Sequence, residues 1–126
     1  MALTTRTFTT PLITTQVTDA TADLTIETAA SAAQNLYFVE IANPNTNTPV
    51  YVKLFTAASG STISTQHELQ LYCPAGTTCY TYITETLPWG NGMQFYASVE
   101  PGVQSNNNTL TAPAKSVAVR VGIVAQ

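Results

Sequence analysis

The sequence predicts an all-β protein: an antiparallel two-sheet β-sandwich of seven to eight strands, jelly-roll or immunoglobulin-like, with an extended N-terminal arm. Three observations carry that expectation. The chain is rich in Thr, Val, Ile, Tyr and Phe, which sit well on a pleated surface. Alternation of period two recurs along it. Clusters of Pro, Gly and Asn punctuate the alternating runs.

The first fifteen or so residues stand apart. Leu3 to Thr15 is Thr-rich and extended in propensity, and Pro11 interrupts it, which suits an arm or an edge strand. Residues 1–15 are therefore read as an arm or first strand, and residues 16–126 as one sandwich domain. As an arm reaching a neighbour, the segment would offer Arg6, Phe8, Leu12 and Ile13 as contacts. Leu24 and Ile26 alternate with Asp23, Thr25 and Glu27, which predicts a strand. The Ala-rich stretch Thr28 to Gln34 has room for one turn of helix. Next, Tyr37, Val39 and Ile41 oppose Leu36, Phe38 and Glu40. The two prolines of Asn43-Pro-Asn-Thr-Asn-Thr-Pro49 exclude a strand interior and predict a turn.

Beyond that turn, Val50, Val52 and Leu54 oppose Tyr51, Lys53 and Phe55; Leu69, Leu71 and Cys73 oppose Glu68, Gln70 and Tyr72. Cys73-Pro-Ala-Gly-Thr-Thr-Cys79 reads as a hairpin loop, after which Tyr80 and Tyr82 share a strand face. Leu87-Pro-Trp-Gly-Asn-Gly92 reads as a loop, with Trp89 a further candidate contact. Met93, Phe95, Ala97 and Val99 oppose Gln94, Tyr96, Ser98 and Glu100. A long polar connection leads from Pro101-Gly102 to Pro113. Then Val117, Val119, Val121 and Ile123 line one face of a last strand, with Arg120 on the other.

Charge narrows the function. Charged residues are 9% of the 126, and the net charge is −3; about 25% charged is ordinary. Arg6, Lys53, Lys115 and Arg120 are too few and too scattered for a nucleic-acid interface. No apolar run approaches a membrane span, and the start of the chain does not read as a signal peptide. With hydrophobic residues at 44%, a core is available without a metal or disulfide staple.

Catalytic and metal chemistry are not expected. The single histidine, His67, has no nucleophile elbow near it, and no acidic pair is evident. Asp19, Asp23 and Glu27 read as solvated surface residues. Cys73 and Cys79, with one distant histidine, fall short of a zinc set; they are either free thiols or a disulfide, depending on the compartment. Tyr80, Tyr82 and Trp89 raise a sugar-stacking role, against the plainer reading of tyrosines packed at sheet rims and between subunits. No cofactor motif is found.

The segment Asn43 to Phe55, where an Asn-x-Asn turn runs into Tyr-Val-Lys-Leu and an aromatic, resembles small tailed-bacteriophage virion β-sandwich proteins. The resemblance continues through Pro74-Ala75-Gly76, Gly90 to Phe95, Ser105 to Thr109 and Val117 to Val124, and covers roughly residues 35 to 124. Cys73, Cys79 and the N-terminal segment depart from the pattern. The resemblance implies a virion structural protein without catalysis, a capsid cement (decoration) protein bridging capsomers on the capsid exterior. It would be made in the host cytoplasm, with the major capsid protein and itself, as a homotrimer, for partners, and with no direct nucleic-acid or membrane contact. The alternatives are a tail or head–tail connector subunit, or a carbohydrate-binding fibre or lectin-like module. Composition points the same way: few charges leave sheet edges poorly defended, which suits a repeated part covered by neighbours.

Overall fold

The computed structural model describes residues 3–7 and 15–125, with the backbone alone for Thr7, residues 84–88 and Ala125. Nine strands form, and no helix occurs among the described residues. They are β1 (Leu3–Thr7), β2 (Thr15–Ala22), β3 (Glu27–Ala30), β4 (Gln34–Ala42), β5 (Val50–Phe55), β6 (Leu69–Cys73), β7 (Thr78–Trp89), β8 (Met93–Ser98) and β9 (Val117–Ala125). One sheet has the order β1-β2-β9-β4-β7 and the other β3-β8-β5-β6, and every pairing is antiparallel. The pairings nest: β2 with β9, β3 with β8, β4 with β7, β5 with β6. The chain is thus one long ribbon folded back on itself and rolled into two layers.

Alternation builds the core between the sheets. Val117, Val119, Val121 and Ile123 of β9 meet Val50, Val52 and Leu54 of β5, with Phe95 of β8 and Leu36, Val39 and Ile41 of β4. The face expected for β4 changes phase midway. A register shift between Leu36 and Phe38 puts Leu36 inward with Val39 and Ile41, and leaves Tyr37 exposed.

Other sequence expectations fail for local reasons. Asp23 to Thr25 bends where a strand was expected: Thr25 N donates to Asp23 Oδ1 (2.8 Å), an Asx-turn that competes with ladder pairing. The Ala-rich stretch forms β3 and leads into β4. Residues 74–77 do not close a hairpin, because Cys73 pairs with Val50 in one sheet and Cys79 with Ile41 in the other. The segment is an arch between the layers. At the N-terminus, Leu3–Thr7 pairs with β2 as an edge strand, and Leu3 packs against the core. Phe8, Leu12 and Ile13 lie outside the described residues.

The two outer faces differ. On the four-stranded sheet, Phe55 and Tyr96 point away from the main core yet are buried. Leu24, Ile26, Ala57, Ile63 and Leu110, from connecting loops, pack over them. Backbone bonds hold that cover together: Gln104 N donates to Ile63 O and Val99 N to Thr111 O, each at 2.9 Å. The chain therefore covers these outer residues by itself. Among the described residues the outer face of the five-stranded sheet has no such layer, and it carries Tyr80 and Tyr82, 53% and 71% exposed.

Candidate interaction surface

The open face is built in rows by the strand register. One row runs Thr4, Thr18, Arg120, Glu40, Tyr80 from β1 to β7; the next runs Arg6, Gln16, Gly122, Phe38, Tyr82. Cross-strand neighbours on one face of a ladder interact directly. Arg120 Nη2 and Glu40 Oε1 form an ion pair at 2.6 Å, and the Arg120 guanidinium lies over the Phe38 ring, 5.7 Å from its centroid. Phe38 and Tyr82 are 6.3 Å apart, tilted, while Tyr80 and Tyr82 stack at 6.1 Å with 9° between their planes. A hydrogen bond to Glu40, with the carboxylate's charge, holds the Tyr80 phenol above its ordinary range. These contacts fix an uncharged aromatic ledge along the edge strand β7, backed by a neutralised ion pair.

Residues singled out in the sequence fall in different places. Arg6 is exposed on β1, at the far side of this face. Trp89 is 2% exposed and belongs to the core, where its indole N–H donates to Phe55 O at 2.8 Å and ties the two sheets together. Cys73 is buried and Cys79 partly so, and both are free thiols. Thr77 Oγ1 lies 3.5 Å from the Cys73 sulfur and 3.7 Å from that of Cys79. Burial pushes the Cys73 thiol up to about 11.

The Asn43-Pro-Asn45 turn is a clasp. Asn43 Nδ2 donates to Thr48 O (3.0 Å) and Pro74 O (3.2 Å). Asn45 Nδ2 donates to Asn43 Oδ1 (2.9 Å) and Lys115 O (3.2 Å), and Asn45 Oδ1 accepts from Lys115 N (2.7 Å). Two buried amides thereby join three loops at one end of the sandwich. Two shallow depressions of about 290 and 270 Å³ lie there, beside Pro44 and Ser116 and beside Thr46 and Lys115.

Groups able to do proton chemistry are dispersed. His67 Nδ1 is buried and unpartnered, and burial, then the Lys53 charge, keeps the imidazole below its ordinary range. Its neighbour Glu68 accepts from Thr56 N (3.1 Å) and Thr56 Oγ1 (3.3 Å) instead. Asp19 is buried rather than solvated; burial raises its carboxyl, while Thr21 N donates to it at 3.0 Å. Lys53 is the least expected of these. It sits on central strand β5 with no exposed surface, donating to Ser98 Oγ and to Glu100 O (2.8 Å), 5.1 Å from the Tyr96 ring. Burial lowers its ammonium to about 8. Among the described residues, no three His, Cys, Asp or Glu side chains gather as a metal site. No helix among them is long and apolar enough to cross a membrane.

These features define an antiparallel two-sheet β protein with one self-covered face and one open aromatic face. No known protein family matches the chain, and no curated protein matches it.

The ledge on β7 was only half legible in sequence. Alternation put Tyr80 with Tyr82, and Arg120 on an outer face. Nothing in sequence brought Glu40 and Phe38 between them, because that requires β4 to lie between β7 and β9.

Proposed function

We propose that this chain is a structural subunit of a phage particle, a capsid cement protein that bridges capsomers. The observation that carries the reading is the dressing of the open face and of two edge strands with tyrosine. Tyr80 and Tyr82 stand on edge strand β7, and Tyr72, 55% exposed, on edge strand β6 beside Tyr51. Isolated sheets guard such edges with lysine, proline or cover. Exposed tyrosine, with an apolar ring and a wet hydroxyl, is instead the composition of a contact surface.

Topology supports the finer fold reading. With β1 set aside, eight strands nest as a rolled ribbon, the arrangement of a jelly roll, an architecture used in viral capsids and in lectins. That support is by analogy of fold. On this reading the major capsid protein and further copies of the chain, brought together as a trimer on the capsid, are the partners. The N-terminal segment, with Arg6, Phe8, Leu12 and Ile13, supplies an arm. The role is mechanical: each copy adds a modest buried area, and repetition multiplies it.

Quantitative mass spectrometry of purified particles of the encoding phage tests this. Cement requires copies in the hundreds, comparable with the major capsid protein. A sixfold or twelvefold stoichiometry would make the chain a connector or tail subunit, and absence from the particle would end the structural reading.

A further inference from the structure

We infer that edge strand β7 pairs antiparallel with β7 of a second copy about a twofold axis at Tyr80, joining two five-stranded sheets edge to edge. The inference rests on the reading of this chain as a subunit of a repeated assembly. Its test uses the isolated chain, so self-pairing and particle copy number fail separately.

The outer edge of β7 meets no other strand among the described residues. From Thr78 to Thr84 the strand has no charged residue and no proline, the usual blocks to edge pairing. A block begins only further on. The ladder with β4 runs regularly from Thr78 to Tyr82, then resumes at Leu87, so the intervening residues bulge out opposite Tyr37. A bulge terminates pairing. The usable edge is thus Thr78 to Tyr82, centred on Tyr80. Two of the other edges offer less: β3 has four residues, and β1 carries the charged Arg6.

Charge selects the partner. Glu40 and Arg120 neutralise each other behind the ledge, and Arg6 stands on the opposite edge strand, about 19 Å away across four strand spacings. Along Thr78 to Tyr82 an acidic or basic partner would find no complementary charge, since the strand's charged residue, Glu85, comes after the usable edge. A second copy finds a neutral, self-complementary strip. The twofold at Tyr80 puts Tyr80 opposite its equivalent and Thr78 opposite Tyr82 of the other copy. Directly opposite and diagonal pairs lie within reach of aromatic side chains. The Tyr80–Tyr82 stack of each copy, its planes 9° apart, then continues into a row of four rings.

Size sets the strength. Two tyrosine faces and a five-residue strip bury roughly 300–400 Å² per copy, against about 800 Å² for a stable interface. The contact is weak and concentration-dependent, which suits a subunit that other contacts hold in place.

Sedimentation equilibrium of the full chain decides it. The weight-average mass should climb from 13.4 kDa towards twice that value as concentration rises to about 1 mM. Tyr80→Lys places like charges opposite each other and should hold the mass at that of one chain; Tyr80→Glu should do the same. Mixing the two variants should restore association, at least about tenfold tighter than either alone. Tyr80 is 53% exposed but faces Glu40 across the β4–β7 ladder, so urea unfolding of each variant, Tyr80→Glu above all, accompanies the mass measurement to show that it is folded. A wild-type chain that stays single at about 1 mM, a Tyr80→Lys chain that associates like wild type, or a mixture without rescue would each overturn the proposal.

Discussion

The ring of Phe38 occupies the space that a Cβ on Gly122 would take. The two residues are directly opposed in the β4–β9 ladder. The glycine is there for room: its backbone lacks a positive φ, so alanine meets no conformational barrier, only the ring. Gly122→Ala should cost about 2 kcal/mol in urea unfolding, by forcing Phe38 off its place over the sheet. In a Phe38→Ala background the same change should be neutral, or favourable by about 0.5 kcal/mol, since glycine in a strand costs backbone entropy. A double-mutant cycle without coupling would show that the ring does not press on Gly122.

Lys53 makes the stability depend on pH. Its ammonium titrates near 8 when folded, against an ordinary 10.5, because burial disfavours the charge. Between those values the unfolded chain binds more protons, so wild-type stability rises with pH across that window. Below pH 8 the cost of the buried charge is present in full. Lys53→Met removes that charge, while Ser98 Oγ still donates to Glu100 O at 2.6 Å. The variant should be more stable than wild type by about 2 kcal/mol at pH 7, and the gain should fade as pH approaches 10.5. A gain that is the same at neutral and alkaline pH would contradict this account.

Lys53 also marks where sequence reading reaches its limit. Alternation assigned Lys53, Phe55 and Tyr96 to outer faces, and that is where they point. It carried no information about the loops that fold back over them, because those contacts join residues far apart in the chain. The same alternation identified β5 and β9 residue by residue. It failed on β4 at the Leu36/Phe38 register shift, which moves the phase of one face without altering composition. Trp89 sits between Pro88 and Gly90, a loop signal, yet one hydrogen bond to Phe55 O and a fully buried ring place it in the core. On the open face each tyrosine was legible, while the ion pair behind them depended on strand order, which no local pattern encodes.

The asparagine clasp should unfasten cooperatively. Asn43→Ala and Asn45→Ala each strand buried carbonyls and amides, and each should cost about 2 kcal/mol. Their effects should sum to more than the double variant loses, since Asn45 Nδ2 donates to Asn43 Oδ1. Amide exchange localises the loss. The Lys115 amide donates to Asn45 Oδ1, so Asn45→Ala should speed its exchange by about tenfold or more. Unchanged protection at Lys115 would mean that the clasp does not hold that loop.

The two thiols should differ in reactivity although they lie at the two ends of one arch. Cys73 is buried with its sulfur 3.5 Å from Thr77 O and 3.6 Å from Ile41 O, and its thiol is pushed up to about 11 from an ordinary 9. Two pKa units leave about a hundredfold less of the reactive thiolate at neutral pH, before any steric shielding. Cys79 is partly exposed. Iodoacetamide at neutral pH should therefore modify Cys79 first, and Cys73 at a measurable rate only in denaturant, with mass spectrometry counting one label and then two. Equal rates at the two positions would remove the burial argument. If non-reduced protein takes up no label until a reductant is added, the two sulfurs are bonded to each other, and the arch is closed covalently between the two sheets.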